Sequence, residues 1–119
     1  MARVNLNGTG YNESTARSTG ATLAEGDSGV VQNVTASLTI TLPATVVGTV
    51  YPIRVGKYGI TVTIAPNSSD KIMGNGFTSA DNKAMIFTNQ PAGSYVILTG
   101  DGVNGWFVSR ISGTATRQA

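Results

Sequence analysis

Few side chains in this sequence could carry acid–base, nucleophilic or metal chemistry. The 119 residues include no cysteine and no histidine, so thiolate chemistry, disulfides, the commonest general base and the commonest metal ligand are all excluded. A Ser-His-Asp arrangement is excluded for the same reason. The carboxylates that remain as candidates are Glu13, Glu25, Asp27, Asp70, Asp81 and Asp101.

Two of these carboxylates could in principle form the acid and base pair of a glycoside hydrolase. Each stands in turn-like sequence, however, where Asp is favoured because its side chain accepts hydrogen bonds from nearby backbone N–H groups. The segment Gly100–Gly105 offers the oxygens of Asp101 and Asn104 to a calcium ion, but it lacks alternating acidic ligands and a closing glutamate. We interpret it as a hairpin turn, and we expect no catalytic site, no cofactor and no metal.

The composition favours one β-rich domain. Hydrophobic residues make up 40% of the chain and charged residues only 12%, while Gly, Thr, Ser and Asn fill most polar positions. The eight basic residues are scattered singly and the net charge is +2, so we expect neither a nucleic-acid track nor a membrane-binding patch. The first residues contain no apolar run typical of a secretory signal. We therefore expect synthesis in the cytoplasm, with exposure outside a cell only as part of a released particle.

The stretch from Ser37 to Ala65 carries the strongest structural pattern. Residues 38–42 alternate aliphatic side chains with Thr, which is the period of a half-buried strand. A period of two returns in residues 51–55, where Tyr, Ile and Val alternate with Pro and Arg, and in residues 60–64, where aliphatic side chains alternate with Thr. The breaks before these two segments contain Pro or Gly. We predict a three-strand antiparallel meander, with Thr-rich outer faces and aliphatic inner faces that a second layer must cover.

Four further strands are predicted in the rest of the chain. They lie at Val30–Val34, Lys83–Thr88, Ser94–Thr99 and Gly105–Ser112. No window shows a 3.6-residue period long enough for a helix. The predicted fold is therefore all-β: a compact antiparallel β-sandwich or barrel of about six to eight short strands in residues 21–119, ending in a short C-terminal tail.

Trp106 and Phe107 are neighbours on the last predicted strand, so their side chains point to opposite faces. One of the two rings should anchor the core, and the other should meet solvent, a neighbouring layer or a partner subunit. We assign Trp106 as the core anchor.

Residues 1–20 differ from everything that follows. They are rich in turn residues and poor in apolar side chains, so they cannot bury enough surface to fold alone. We predict an extended N-terminal arm, which is either simply disordered or becomes ordered on a partner by adding a strand to an exposed sheet edge. The residues expected to contact that partner are Arg3, Val4, Leu6, Tyr11 and Arg17.

The chain resembles the small β-domain of tailed-bacteriophage virion proteins, a family that includes capsid decoration (cement) proteins and the distal domains of fibres and tail proteins. The similarity spans roughly residues 21–112. The motifs that carry it are Leu23-Ala-Glu-Gly-Asp-Ser-Gly29, Leu38-Thr-Ile-Thr-Leu-Pro43, Gly48 with Tyr51-Pro-Ile-Arg-Val55, Val62-Thr-Ile-Ala-Pro66, Asp70-Lys-Ile-Met-Gly74 and Gly102-Val-Asn-Gly-Trp106. These motifs are structural rather than catalytic.

This resemblance implies a virion structural protein with no enzymatic activity. The favoured interpretation is a capsid decoration protein, which binds the major capsid protein on the outer surface of the head and stabilises the head by bridging capsomers. The alternative is a receptor-binding or fibre-associated module that recognises a glycan on the host cell surface. The resemblance also implies a homotrimer, because decoration and fibre modules are commonly trimeric.

Overall fold

Eleven strands form two β-sheets in the computed structural model of the protein, which describes residues 14–74 and 82–118. In chain order they are β1 (Ser14–Arg17), β2 (Ala21–Thr22), β3 (Val31–Val34), β4 (Leu38–Thr41), β5 (Val50–Val55), β6 (Thr61–Ala65), β7 (Lys71–Met73), β8 (Met85–Thr88), β9 (Tyr95–Gly100), β10 (Gly105–Ser112) and β11 (Thr116–Arg117). A single turn of 3-10 helix at Glu25–Asp27 is the one helical element in these residues. The all-β prediction is confirmed.

The first six strands alternate between the two sheets. Sheet A has the order β1-β3-β5-β9-β10-β7, and sheet B has the order β11-β8-β6-β4-β2. Within each sheet the alternating strands stack in parallel: β1 on β3 and β3 on β5 in sheet A, and β2 on β4 and β4 on β6 in sheet B. This part of the chain therefore winds as a short two-sided coil. The later strands form antiparallel pairs: β8 pairs with β6 in sheet B, and β9 pairs with both β5 and β10 in sheet A. β7 lies parallel to β10.

One hydrophobic core lies between the two sheets. Its largest fully buried side chains include Trp106 and Tyr51 from sheet A and Phe87 from sheet B. The rings of Tyr51 and Trp106 meet edge to face, with centroids 5.2 Å apart and planes at 66°. Inward and outward side chains alternate along β6 and β9, so each of these strands turns an apolar face to this core.

The predicted antiparallel meander is wrong. Its first and third strands, β4 and β6, are parallel neighbours in sheet B, and its second strand, β5, lies in sheet A. A period of two shows which face of a strand is buried, but it is the same for parallel and antiparallel pairs. The prediction that all strands are antiparallel fails for the same reason, because both sheets are mixed. The predicted number of about six to eight strands is too low, since the described residues form eleven and several of these are only two or three residues long.

The N-terminal boundary of the domain also needs correction. Ser14–Arg17 were predicted to belong to the arm, but they form β1 at the edge of sheet A. Backbone pairing with β3 holds this strand, and the Arg17 carbonyl accepts a hydrogen bond from the Thr35 N–H at 2.9 Å. The domain therefore begins no later than Ser14. The rest of the predicted arm, Met1–Glu13, lies outside the described residues.

The C-terminal tail is part of the fold as well. Residues 116 and 117 form β11, which pairs with β8 at the edge of sheet B. The Gln118 N–H donates to the Ala84 carbonyl at 2.8 Å, and the Gln118 side chain accepts from the Ala84 N–H at 3.0 Å. These two bonds hold Gln118 next to the start of β8.

Gly105 allows β10 to approach β7. Its φ is 145°, and a Cβ at this position would overlap with the backbone oxygen and nitrogen of Lys71. A side chain would therefore force the two parallel strands apart where the chain enters β10.

We expect the Gly105→Ala variant to lose about 2 kcal/mol or more of unfolding free energy, because the added methyl group meets backbone atoms that cannot rotate away. Gly26→Ala is the matched control, since its Cβ would meet nothing within 4 Å, and its change should stay within about 0.5 kcal/mol. Urea unfolding of the three proteins measures both values. Equal midpoints for Gly105→Ala and the wild type would contradict the close packing of β7 on β10.

Candidate protein-binding face

The outer face of sheet A carries a concave, mostly apolar surface. Register places Pro52 opposite Ile97, and Arg54 opposite Tyr95, on strands β5 and β9. Arg110 of β10 lies on the other side of Ile97. Together with Val31 and Ile53, these residues line a cavity of about 280 Å³. We call this surface the sheet A groove.

Two arginines give the sheet A groove a positive charge. Arg54 is half-buried and its Nε donates to the Asn33 Oδ1 at 2.9 Å, which fixes the guanidinium against the sheet. Arg110 is exposed at the opposite wall. None of the described residues that line the groove is acidic, and neither arginine forms an ion pair with a carboxylate in the described part of the chain. The surface is therefore suited to a partner that brings apolar groups and carboxylates.

The volume of the cavity indicates the size of the group that can bind there. Sites for drug-sized ligands usually measure about 300 to 1,000 Å³, so a cavity near the lower limit accepts a few side chains of a larger partner. Phe107 extends the apolar surface beyond the groove, because it pairs with Thr99 on the same outer face and 45% of it is exposed.

A second exposed apolar group lies at one end of the fold. Val46, Val47 and Val103 are 39%, 74% and 80% exposed, and we call them the apolar tip. Two neighbouring loops present them, since the Thr45 Oγ1 donates to the Gly105 carbonyl at 2.6 Å and accepts from the Gly102 N–H at 3.1 Å.

Asp101 organises the hairpin loop of the apolar tip. Its Oδ1 accepts hydrogen bonds from the backbone N–H groups of Val103, Asn104 and Gly105 at 2.8, 2.8 and 3.0 Å. These bonds, with that of Gly105 first, lower the pKa of the Asp101 carboxyl below its ordinary value. The carboxylate that a calcium loop would need is thus engaged by the turn, in agreement with the hairpin interpretation.

Of the residues that the sequence singled out, the structure describes Arg17, Trp106 and Phe107, and it places them in different surroundings. Trp106 is fully buried in the core, and Phe107 points outward. Arg17 lies at the edge of sheet A, where its Nε donates to the Gln32 Oε1 at 2.7 Å and a terminal nitrogen lies 3.7 Å from the Asp27 Oδ1. The other residues expected to contact a partner lie outside the described residues: Arg3, Val4, Leu6 and Tyr11.

Sequence reasoning missed the sheet A groove entirely. The period of two turns Arg54 outward, and that signal was available in the sequence. Arg110 faces outward because the register of β10 shifts between Val108 and Arg110, and the period of two does not show that shift. The proximity of the two arginines was not visible either, because it depends on both strands flanking β9.

Within residues 14–74 and 82–118, no three acidic side chains come close enough together to hold a metal ion. The same residues contain no helix with the length and apolar character needed to span a membrane.

Comparison of the chain with protein-family models, with curated proteins and with solved structures found no match.

The hairpin loop of the apolar tip should depend on pH through Asp101. Because folding lowers the pKa of this carboxyl from 3.8, its contribution to stability is present above about pH 4 and is lost as the pH falls through the lowered pKa. We expect Asp101→Asn to be less stable than the wild type at neutral pH, with a difference that shrinks in acid.

Urea unfolding at about pH 7, 4 and 2 checks this prediction. Glu25→Gln is the charge-matched control, since it removes one carboxylate from an exposed side chain. A difference between Asp101→Asn and the wild type that stays constant down to the lowest pH would contradict the role assigned to the carboxylate.

Proposed function

We propose that this protein is a structural protein of a tailed-bacteriophage virion, and more narrowly a decoration protein that binds the outer surface of the head. In this proposal the two sheets pack as a β-sandwich and serve as a rigid platform. The sheet A groove binds the major capsid protein, copies of the chain assemble as a homotrimer, and the bound trimer bridges neighbouring capsomers. No chemical reaction is involved.

The observation that carries the proposal is the charge of the sheet A groove. Arg54 and Arg110 flank an apolar floor of Pro52 and Ile97, and no described carboxylate neutralises them. Such a surface recognises acidic and apolar side chains on a protein partner. The sequence motifs that resemble those of phage virion β-domains support the proposal that this partner is part of a phage particle.

A bridging protein needs more than one contact surface. The apolar tip provides a further exposed surface, and it is rigid because Asp101 and Thr45 hold its two loops. Rigidity lowers the entropy lost on binding, so even a small tip of this kind contributes to affinity.

Charge reversal in the sheet A groove should weaken attachment. We expect the double variant Arg54→Glu and Arg110→Glu to bind undecorated heads at least about a hundredfold more weakly, since each charge-assisted hydrogen bond contributes about 1.5 to 3 kcal/mol. Binding of the wild type should also weaken as salt is added. Co-sedimentation of purified protein with heads, over a range of concentrations and salt, measures both effects.

The matched control is Lys57→Glu, which reverses a charge in the exposed turn between β5 and β6, away from the groove. It should bind heads as the wild type does. If the double variant also retained full affinity, the groove would not be the attachment surface. Imaging of particles with labelled protein tests the location: label over the whole head supports the proposal, whereas label at the tail tip, with binding to host-cell glycans, supports the receptor-binding alternative.

We also propose that Met1–Glu13 take part in attachment. Fixing a segment of this length costs about 1 to 2 kcal/mol per residue, so a few side-chain contacts would not suffice without main-chain hydrogen bonds to the partner and avidity from several copies. Since β1 begins at Ser14, deletion of Ala2–Glu13 leaves the described domain complete.

We expect the truncated protein to keep the melting temperature of the intact protein but to occupy heads less fully and to protect them less against heat. Thermal unfolding of the free protein and of decorated heads gives both readouts. Full occupancy and full protection by the truncated protein would show that the segment is not an attachment device.

A further inference from the structure

The outer face of sheet B differs in chemistry from that of sheet A. Threonines dominate it, and the register aligns three of them with Ile86 in one row across four strands. The outward residues of this face are Thr22, Thr39, Thr41, Thr61, Thr63, Ala65, Ile86, Thr88 and Thr116. We call this surface the threonine face.

The threonine face carries no charge. Each of its outward residues is a threonine, an alanine or an isoleucine, whereas the outward residues of sheet A include the cations Arg54, Lys71 and Arg110. Both surfaces are regular faces of β-sheets in one domain. Because they differ in charge, they can accept different partners.

Symmetry determines which of the two faces can contact a second copy of the chain. Near a symmetry axis a residue meets its own counterpart, so a cation on the face would be placed against the same cation. The outer face of sheet A would bring Arg54 and Arg110 close to their own copies, and that repulsion favours a different, acidic partner. On the threonine face no such repulsion arises, and the methyl and hydroxyl groups of threonine can pack and hydrogen-bond with one another.

We propose that the threonine face is the surface through which copies of this chain associate. The inference rests on the homotrimer of the proposed function and assigns its contacts: the sheet B faces of the three copies surround the three-fold axis, and sheet A remains free for the capsid. Thr63 lies at the centre of the contact, because β6 is the middle strand of sheet B and Thr63 has neighbours on both sides in the central row.

The size of the threonine face sets the expected affinity. Strands about 4.8 Å apart, with residues about 3.3 Å apart, make it roughly 20 Å by 15 Å. This is less than the surface of about 800 Å² per partner that a standard stable interface buries. Association in solution should therefore be weak, and a capsid that holds copies side by side would strengthen it through a high effective concentration.

Charge placed at the centre of the threonine face tests the proposal. Thr63→Arg and Thr63→Glu should each be folded and monomeric, since each variant sets like charges against one another across the symmetric contact. A mixture of the two variants should associate again in part, because two of the three contacts in a mixed trimer then place opposite charges against each other. Ser112→Arg, an exposed position on sheet A, is the control and should associate as the wild type does.

Sedimentation equilibrium from about 1 to 300 µM measures the mass of each sample, and circular dichroism verifies the fold. A wild-type protein that stays at the mass of one chain over the whole range overturns the inference. So does a multimer that both Thr63 variants leave intact, because the copies must then meet elsewhere. Head binding is measured with the same samples: a wild-type multimer that Thr63 variants dissociate, but that does not bind heads, would overturn the proposed function and leave this inference standing.

Discussion

Alternation of strands between the two sheets is the constraint on which the rest of the structure depends. Two parallel strands cannot be joined by a tight hairpin, and the chain between them must cross over the sheet. In α/β proteins a helix makes that crossing. Here a strand of the opposite sheet makes it, since β4 connects β3 to β5 and β5 connects β4 to β6. Each crossing strand has its own backbone partners and turns its apolar side to the shared core, so one segment satisfies both requirements.

The limits of sequence-based prediction follow from this alternation. The period of two identified β4, β5, β6, β8, β9 and β10, because in each of these strands one face is buried against the core. It did not identify which strands pair, because parallel and antiparallel neighbours show the same period. Among the strands without that period, β3 was predicted from its valines, whereas β1 was not predicted. β1 contains Ser, Thr, Ala and Arg, and backbone pairing with β3 rather than apolar burial holds it in sheet A.

Buried polar groups show how closely the core depends on its edges. Gln32 is fully buried, and its amide is satisfied only because the Arg17 Nε donates to its oxygen and the Val30 carbonyl accepts from its nitrogen. The hydroxyl of Tyr51 donates to the Ala24 carbonyl at 3.0 Å. Burial, with the nearby Asp27 and Glu25 carboxylates, raises the pKa of Tyr51, which keeps the ring neutral in the core. The Nε1 of Trp106, in contrast, finds no acceptor among the described residues.

The candidate binding surfaces were less predictable than the fold, for a related physical reason. The hydrophobicity of a core residue predicts that it is buried. The role of an outward residue depends instead on the neighbours that strand pairing places beside it. Arg110 and Arg54 are separated by most of the second half of the chain, and β9 alone brings them to one groove. The outward threonines of β4 and β6 were visible as polar positions, yet their union into one uncharged face depends on the parallel register. Strand pairing therefore creates the contrast between a cationic face and an uncharged face, and the proposal that one small domain binds the capsid and its own copies on separate sheets depends on that contrast.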